Sequence, residues 1–189
     1  MAHSNNSVIT GKLKGTLGKE LVFREWQGKT VVAKAPKGRK GEATAAQAET
    51  QEKFLIASRY ARAVINRADK SMAEAYAAAL KPRQNVYSRA LEDCMSPPIV
   101  KSITTRNYKG TVGDKIVIRA IDDFRVVSVR VEISAADGTL LETGNAEPDE
   151  NGMDFTYLAT QANNLLAGSK ITAIATDVPK NEGILQVSL

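Results

Sequence analysis

The stretch Val126-Val-Ser-Val-Arg-Val-Glu-Ile-Ser134 decides the fold of the second half of the chain. Val127, Val129, Val131 and Ile133 alternate with Ser128, Arg130 and Glu132, the period of two that puts one side of a strand against a core and the other toward water. Ile171, Ala173 and Ala175 alternate with Thr172, Ile174 and Thr176 in the same way. Working outward from these two, strands are predicted at 99–105, 115–121, 126–134, 140–143, 154–159, 170–176 and 184–189. Turn signals separate them at Gly113-Asp114, Asp137-Gly138, Glu150-Asn151-Gly152 and Lys180-Asn181. Seven short strands at regular spacing predict a β-sandwich over residues 97–189.

The run Ile171 to Asp177, followed by Pro179-Lys180-Asn181, resembles the penultimate strand and turn of bacterial immunoglobulin-like domains, where an A-x-D-x-x-G-N pattern closes the sandwich. Lys180 stands where that pattern usually has Gly. Val126–Ser134, Ala136-Asp137-Gly138 and Glu142-Thr143-Gly144 resemble the central hairpin of the same domains. The resemblance spans about 90 residues, implies an immunoglobulin-like sandwich and says almost nothing about function.

Upstream of Pro97-Pro98 the character changes. Residues 1–96 hold 17 Lys and Arg against 9 Asp and Glu, whereas residues 97–189 hold 9 against 12. Paired prolines restrict their own φ and bias the residues before them away from the helical region, so a domain boundary is expected there. The first half reads as strands within 8–35, a linker over 36–43 and helices over 44–95. The strands are predicted at 8–13, 20–26 and 30–35, joined at Gly15-Thr16-Leu17-Gly18 and Gln27-Gly28-Lys29. Apolar residues on both faces of this small sheet imply cover on each side. Capping boxes are predicted at Thr44–Gln47 and at Ser71–Glu74, and a third helix from about Asn85 to Cys94 with Val86, Ala90, Leu91 and Cys94 inward. Phe54, Ala57, Ala61, Val64 and Ala68 mark the apolar line of the first helix. The fold class is therefore α+β: a small N-terminal β-hairpin or meander and a helical region, then an immunoglobulin-like β-sandwich.

Composition limits the function. His3 is the one histidine and Cys94 the one cysteine, so neither a nucleophilic triad, nor a zinc site, nor an internal disulfide can be assembled with confidence. No phosphate-cradling glycine loop appears. The acidic turns at Asp114, Asp122-Asp123, Glu147–Glu150 and Asp177 do not follow the calcium-loop spacing and read as polar loops. No cofactor, metal or small-molecule substrate is expected, and enzymatic chemistry has only generic carboxylates behind it. No membrane span or leader is read from the sequence, so synthesis in the cytoplasm is expected.

The candidate partner-binding residues lie in the basic stretch between Gly11 and Gly41, which carries nine cations against Glu20 and Glu25. They are Phe23, Arg24, Trp26, Lys29, Lys34, Lys37, Arg39 and Lys40. Cations interleaved with aromatics suit phosphates and bases, but also suit an arm docked between subunits. The expected function is a structural component of a large assembly, such as a phage virion or phage-tail-like particle, binding copies of itself or other subunits. The alternatives are a nucleic-acid-binding protein and an adhesion or carbohydrate-binding accessory protein.

Overall fold

A computed structural model describes residues 2–4, 13–26, 28–38 and 41–189 of the chain; for 2–4 and Trp26 it describes the backbone alone. The chain forms two compact units, Met1–Thr44 and Ala45–Leu189. The division falls at the end of the predicted linker. The boundary expected at Pro97-Pro98 lies inside the second unit, because helices and sandwich share buried contacts described below. The architecture is α+β, with antiparallel pairing throughout. No helix among the described residues is long and apolar enough to cross a membrane.

The first unit is a four-stranded sheet ordered β1-β4-β3-β2, from β1 (Ala2–Ser4), β2 (Gly15–Leu17), β3 (Leu21–Trp26) and β4 (Lys29–Lys34). The predicted strand 8–13 falls almost wholly outside the described residues. Gly15-Thr16-Leu17, expected as a connection, is instead a strand paired to β3, with Gly15 opposite Phe23 and Leu17 opposite Leu21. The turn sits later, at Gly18 and Lys19, with φ of 60° and 58°. Two successive left-handed residues match the right-handed twist of the flanking strands.

In the second unit α1 (Ala45–Asn66), α2 (Ser71–Ala78) and α3 (Val86–Met95) precede the sandwich. Ala57, Ala61 and Val64 of α1 are buried as their spacing requires. Phe54 is 51% exposed, and Ala68 lies beyond the end of the helix. The Ser71 box does not form: the N-cap is Lys70, and Ser71 donates its N–H and hydroxyl to Asp69 instead. Asn85 does cap α3, accepting from Ser88 N while Ser88 Oγ accepts from Asn85 N, which satisfies two orphan donors reciprocally.

The sandwich holds β5 (Ile99–Asn107), β6 (Lys115–Ile121), β7 (Val126–Ser134), β8 (Leu140–Pro148), β9 (Asp154–Leu158), β10 (Lys170–Asp177) and β11 (Glu182–Ser188), paired in the order β11-β10-β7-β8-β9-β6-β5. All seven predicted strands are present. β8 is longer than expected: Ala146 still pairs with Val129 of β7, then Glu147 and Pro148 pair with β9. One strand thereby serves both layers. The core between them is Ile116, Ile118, Val129, Val131, Ile133, Phe155, Tyr157, Ile171, Ala173 and Ala175. Val127, at the start of its alternating run, is 49% exposed.

Candidate functional site

The register of the first unit sorts the predicted partner-binding residues between two faces. Side chains alternate along a strand and line up across paired strands. Phe23 stands opposite Val32 and Gly15, and Leu21 opposite Lys34 and Leu17. These residues share one face. Arg24 stands opposite Val31 and Trp26 opposite Lys29, which belong to the other. Phe23 and Lys34 are thus separated from Arg24 and Lys29. Lys37 follows β4 in an exposed segment. Arg39 and Lys40 lie outside the described residues, as does the Trp26 side chain.

The Phe23 face is apolar and open. Leu17 is 62% exposed, Leu13 43% and Leu21 38%. Leu13, Leu17 and Phe23 line a recess of about 170 Å³ together with Lys14, Gly15 and Thr16. The sheet is small, and its leucines are not covered. Lys14 lies 3.0 Å from Glu25, so one cation of the basic stretch is neutralised locally. What this surface does chemically is present an apolar stripe beside an unbalanced positive charge. No group of three or more metal-ligating side chains forms among the described residues.

A second, polar cluster lies where the helices meet the sandwich, and nothing in the residue pattern of α3 pointed to it. The inward positions were expected to be Val86, Ala90, Leu91 and Cys94. The deepest are Arg89, Ala90 and Asp93, while Val86, Leu91 and Cys94 are half-buried. Arg89 Nη1 donates to Asp123 Oδ2 at 2.6 Å, its Nη2 to the Asp123 carbonyl at 2.7 Å, and its Nε to the Ala79 carbonyl at 3.1 Å. One guanidinium therefore fastens α2, α3 and the β6–β7 loop. The Phe124 ring stacks on Tyr76 with centroids 4.4 Å apart, and Arg89 lies over the same ring.

Behind it, Tyr76 donates its hydroxyl to Asp93 Oδ2, and Tyr60 and Tyr76 hydroxyls lie 2.8 Å apart. Asp93 is fully buried, and its Oδ1 has no hydrogen-bond partner. Burial pushes the Asp93 carboxyl up to about 6, helped by the charges of Asp122 and Asp177, while Tyr76 and Arg89 pull the other way. Burial also raises Asp177, although Asn181 donates to both of its oxygens. Asn181 Nδ2 donates further to the Cys94 carbonyl at 3.2 Å, tying the β10–β11 turn to α3. Burial raises the Cys94 thiol, which leaves it less nucleophilic than an ordinary cysteine.

The remaining acidic turns organise their own loops. Asp114 accepts from Lys109 N, Thr111 N and Thr111 Oγ1, which holds its pKa low. Asp154 is held down at about 2, first by the Arg119 fork at 2.7 and 2.8 Å and then by Asn151.

No protein-family model and no characterised protein matches the sequence. Among solved structures the chain is similar to a crystal structure of an engineered protein, at 20% identity and a TM-score of 0.32, over 52% of this chain and 21% of that one. A likeness at that level carries no argument about fold or function.

Proposed function

We propose that the protein is a non-enzymatic structural subunit of a larger protein assembly, with Met1–Thr44 as the docking element. The carrying observation is the uncovered stripe of Leu13, Leu17 and Leu21 beside Phe23 on a separate, small, basic unit. Two- to four-stranded sheets with little core gain stability from a partner laid on them, and clustered exposed apolar groups mark interaction surfaces. The partner is another copy of the chain or another subunit, and the positive charge steers the encounter.

The second unit supplies a spacer or surface module, which we read as immunoglobulin-like. That reading is supported by the pairing order: β5, β6 and β9 form one layer and β11, β10, β7 and β8 the other, with β8 crossing between them. A virion or phage-tail-like particle, assembled in the cytoplasm and then released, accommodates such a module without a disulfide.

A nucleic-acid reading keeps one specific support, the register that puts Arg24 and Lys29 on one face. Light scattering across a salt series, on the wild type, Leu17→Asp and Lys29→Ala, separates the two. Protein assembly predicts a multimer that Leu17→Asp dissolves and Lys29→Ala barely changes, with weak salt dependence. Nucleic-acid binding predicts a steep slope of about −0.9 to −0.7 in log K per log salt for each phosphate contacted. A monomer at all concentrations, indifferent to Leu17→Asp, sinks the assembly reading.

A further inference from the structure

A cleft of about 270 Å³ opens between the C-terminal half of α1, the start of α2 and the β10–β11 turn, wholly within the second unit. Val64, Met72, Val178 and Pro179 give it apolar walls, and Tyr60 closes one side. The Tyr60 hydroxyl is engaged by Tyr76, so the cleft offers no free hydroxyl there. Two cations line it, Arg67 and Lys180, both exposed where Val64 is buried. Among the described residues no carboxylate forms an ion pair with either. Asp69 feels the Arg67 charge, but its oxygens are taken by the Ser71 N–H and hydroxyl.

Lys180 reaches this position at a conformational cost. Its φ is 78°, in the left-handed region where a Cβ is disfavoured and Gly or Asn is the ordinary choice. The turn around it is otherwise well satisfied: Lys180 N donates to the Asp177 carbonyl, and the neighbouring Asn181 is clamped by Asp177. The strain thus brings nothing to the turn that Gly would not bring better. It does bring a second cation to the cleft.

We propose that this cleft binds an acidic peptide segment of a partner protein, an aliphatic side chain entering between Met72, Val64 and Pro179 while flanking carboxylates pair with Arg67 and Lys180. The volume is small for an organic ligand site, and no buried polar group is available to orient such a ligand. One apolar side chain flanked by acids suits both walls and rim. The cleft is lined by residues of the second unit alone, and the proposal does not depend on the assembly reading.

The test uses the full chain with its four methionines labelled at the methyl carbon, followed by NMR. Met72 lines the cleft, while Met95 and Met153 do not and serve as internal references. The probe is acetyl-Ala-Asp-Leu-Asp-Ala-amide, with acetyl-Ala-Asn-Leu-Asn-Ala-amide as its uncharged counterpart. A saturable shift of Met72 alone is expected, with the uncharged peptide roughly tenfold weaker. Arg67→Gln and Lys180→Gly should each weaken the acidic peptide about tenfold. Lys180→Gly should at the same time raise the melting temperature, so lost binding cannot be lost folding. A Met72 signal that stays still at millimolar peptide overturns the proposal. So does equal affinity for both peptides, or indifference to both substitutions.

Discussion

Replacing Asp93 by Asn should stabilise the protein at neutral pH and do nothing for it in acid. Asp93 is fully buried, with Oδ2 on the Tyr76 hydroxyl and Oδ1 without a partner. Its carboxyl is raised to about 6 from an ordinary 3.8. Because the folded value lies above the unfolded one, the protonated form is favoured by folding. The associated stability is complete below about pH 4 and is lost as pH rises through about 6. A shift of ~2 units corresponds to ~3 kcal/mol paid at pH 7.5 by keeping the ionised form inside. The Asn oxygen keeps the acceptor that Tyr76 needs, and its amide removes the charge from a site shared with Asp122 and Asp177. Urea denaturation followed by circular dichroism at pH 4.0, 5.5 and 7.5 would read this out. The variant should gain up to ~3 kcal/mol over wild type at the highest pH and converge with it at the lowest. Asp177, also raised by burial, shares this charge with Asp93, so removing the Asp93 charge eases the ionisation of Asp177 and adds to the gain at high pH. Equal destabilisation at every pH would show that the ionised carboxylate is needed where it stands, and the reasoning would fail.

Arg89→Ala should cost about 3–5 kcal/mol, because it strips partners from the Asp123 side chain and carbonyl and from the Ala79 carbonyl. Lys81→Ala removes partly exposed ion pairs to Glu92 and Asp123 and should cost far less than Arg89→Ala in the same urea assay. Gly183→Ala would drive its Cβ into the Pro98 backbone carbonyl, which cannot swing aside as a side chain could, and should lower stability by ~2–3 kcal/mol. A fragment of residues 45–189 should melt at a higher temperature than one of 97–189, since the shorter piece loses Arg89 and the Cys94 carbonyl that Asn181 engages; equal melting temperatures would restore Pro97-Pro98 as the working boundary.

That last comparison bears on how far residue patterns can be read. The sandwich was legible because its signal is local and repeated. Ile116, Ile118, Val129, Val131 and Ile133 alternate, and each burial follows from its neighbours two positions away. The linker expected over 36–43 from its composition lies just before Thr44, where the first compact unit ends. The charge step at Pro97-Pro98 did not mark such a division. Net charge reports on solvent-facing residues and says nothing about which buried faces meet. Ser71 shows the same limit at short range: the box spacing was present, but Asp69, two residues earlier, supplied a better acceptor.

The residues that hold the second unit together escaped for a single physical reason. Arg89 and Asp93 stand three and seven residues after Val86, on the same face of α3, but a reading by residue type passes them over because it scores each charged side chain by its own cost of burial. In the folded chain that cost is offset by partners far away in sequence, Asp123 for Arg89 at a separation of 34 residues and Tyr76 for Asp93 at 17. Neither partner is visible in a window of one helix. Conversely, Phe23, Arg24, Lys29 and Lys34 stood out by type, and their separation onto two faces follows from alternation along β3 and from its pairing with β4. Gly18 and Lys19 set the register of β2 on β3, and moving that turn by one residue would carry Leu17 off the face of Leu21 and Phe23. The docking stripe at Leu17, Leu21 and Phe23 is therefore a consequence of turn geometry more than of composition, and a substitution that reshapes the turn, such as Gly18→Val, should disrupt partner binding as thoroughly as one placed in the stripe itself.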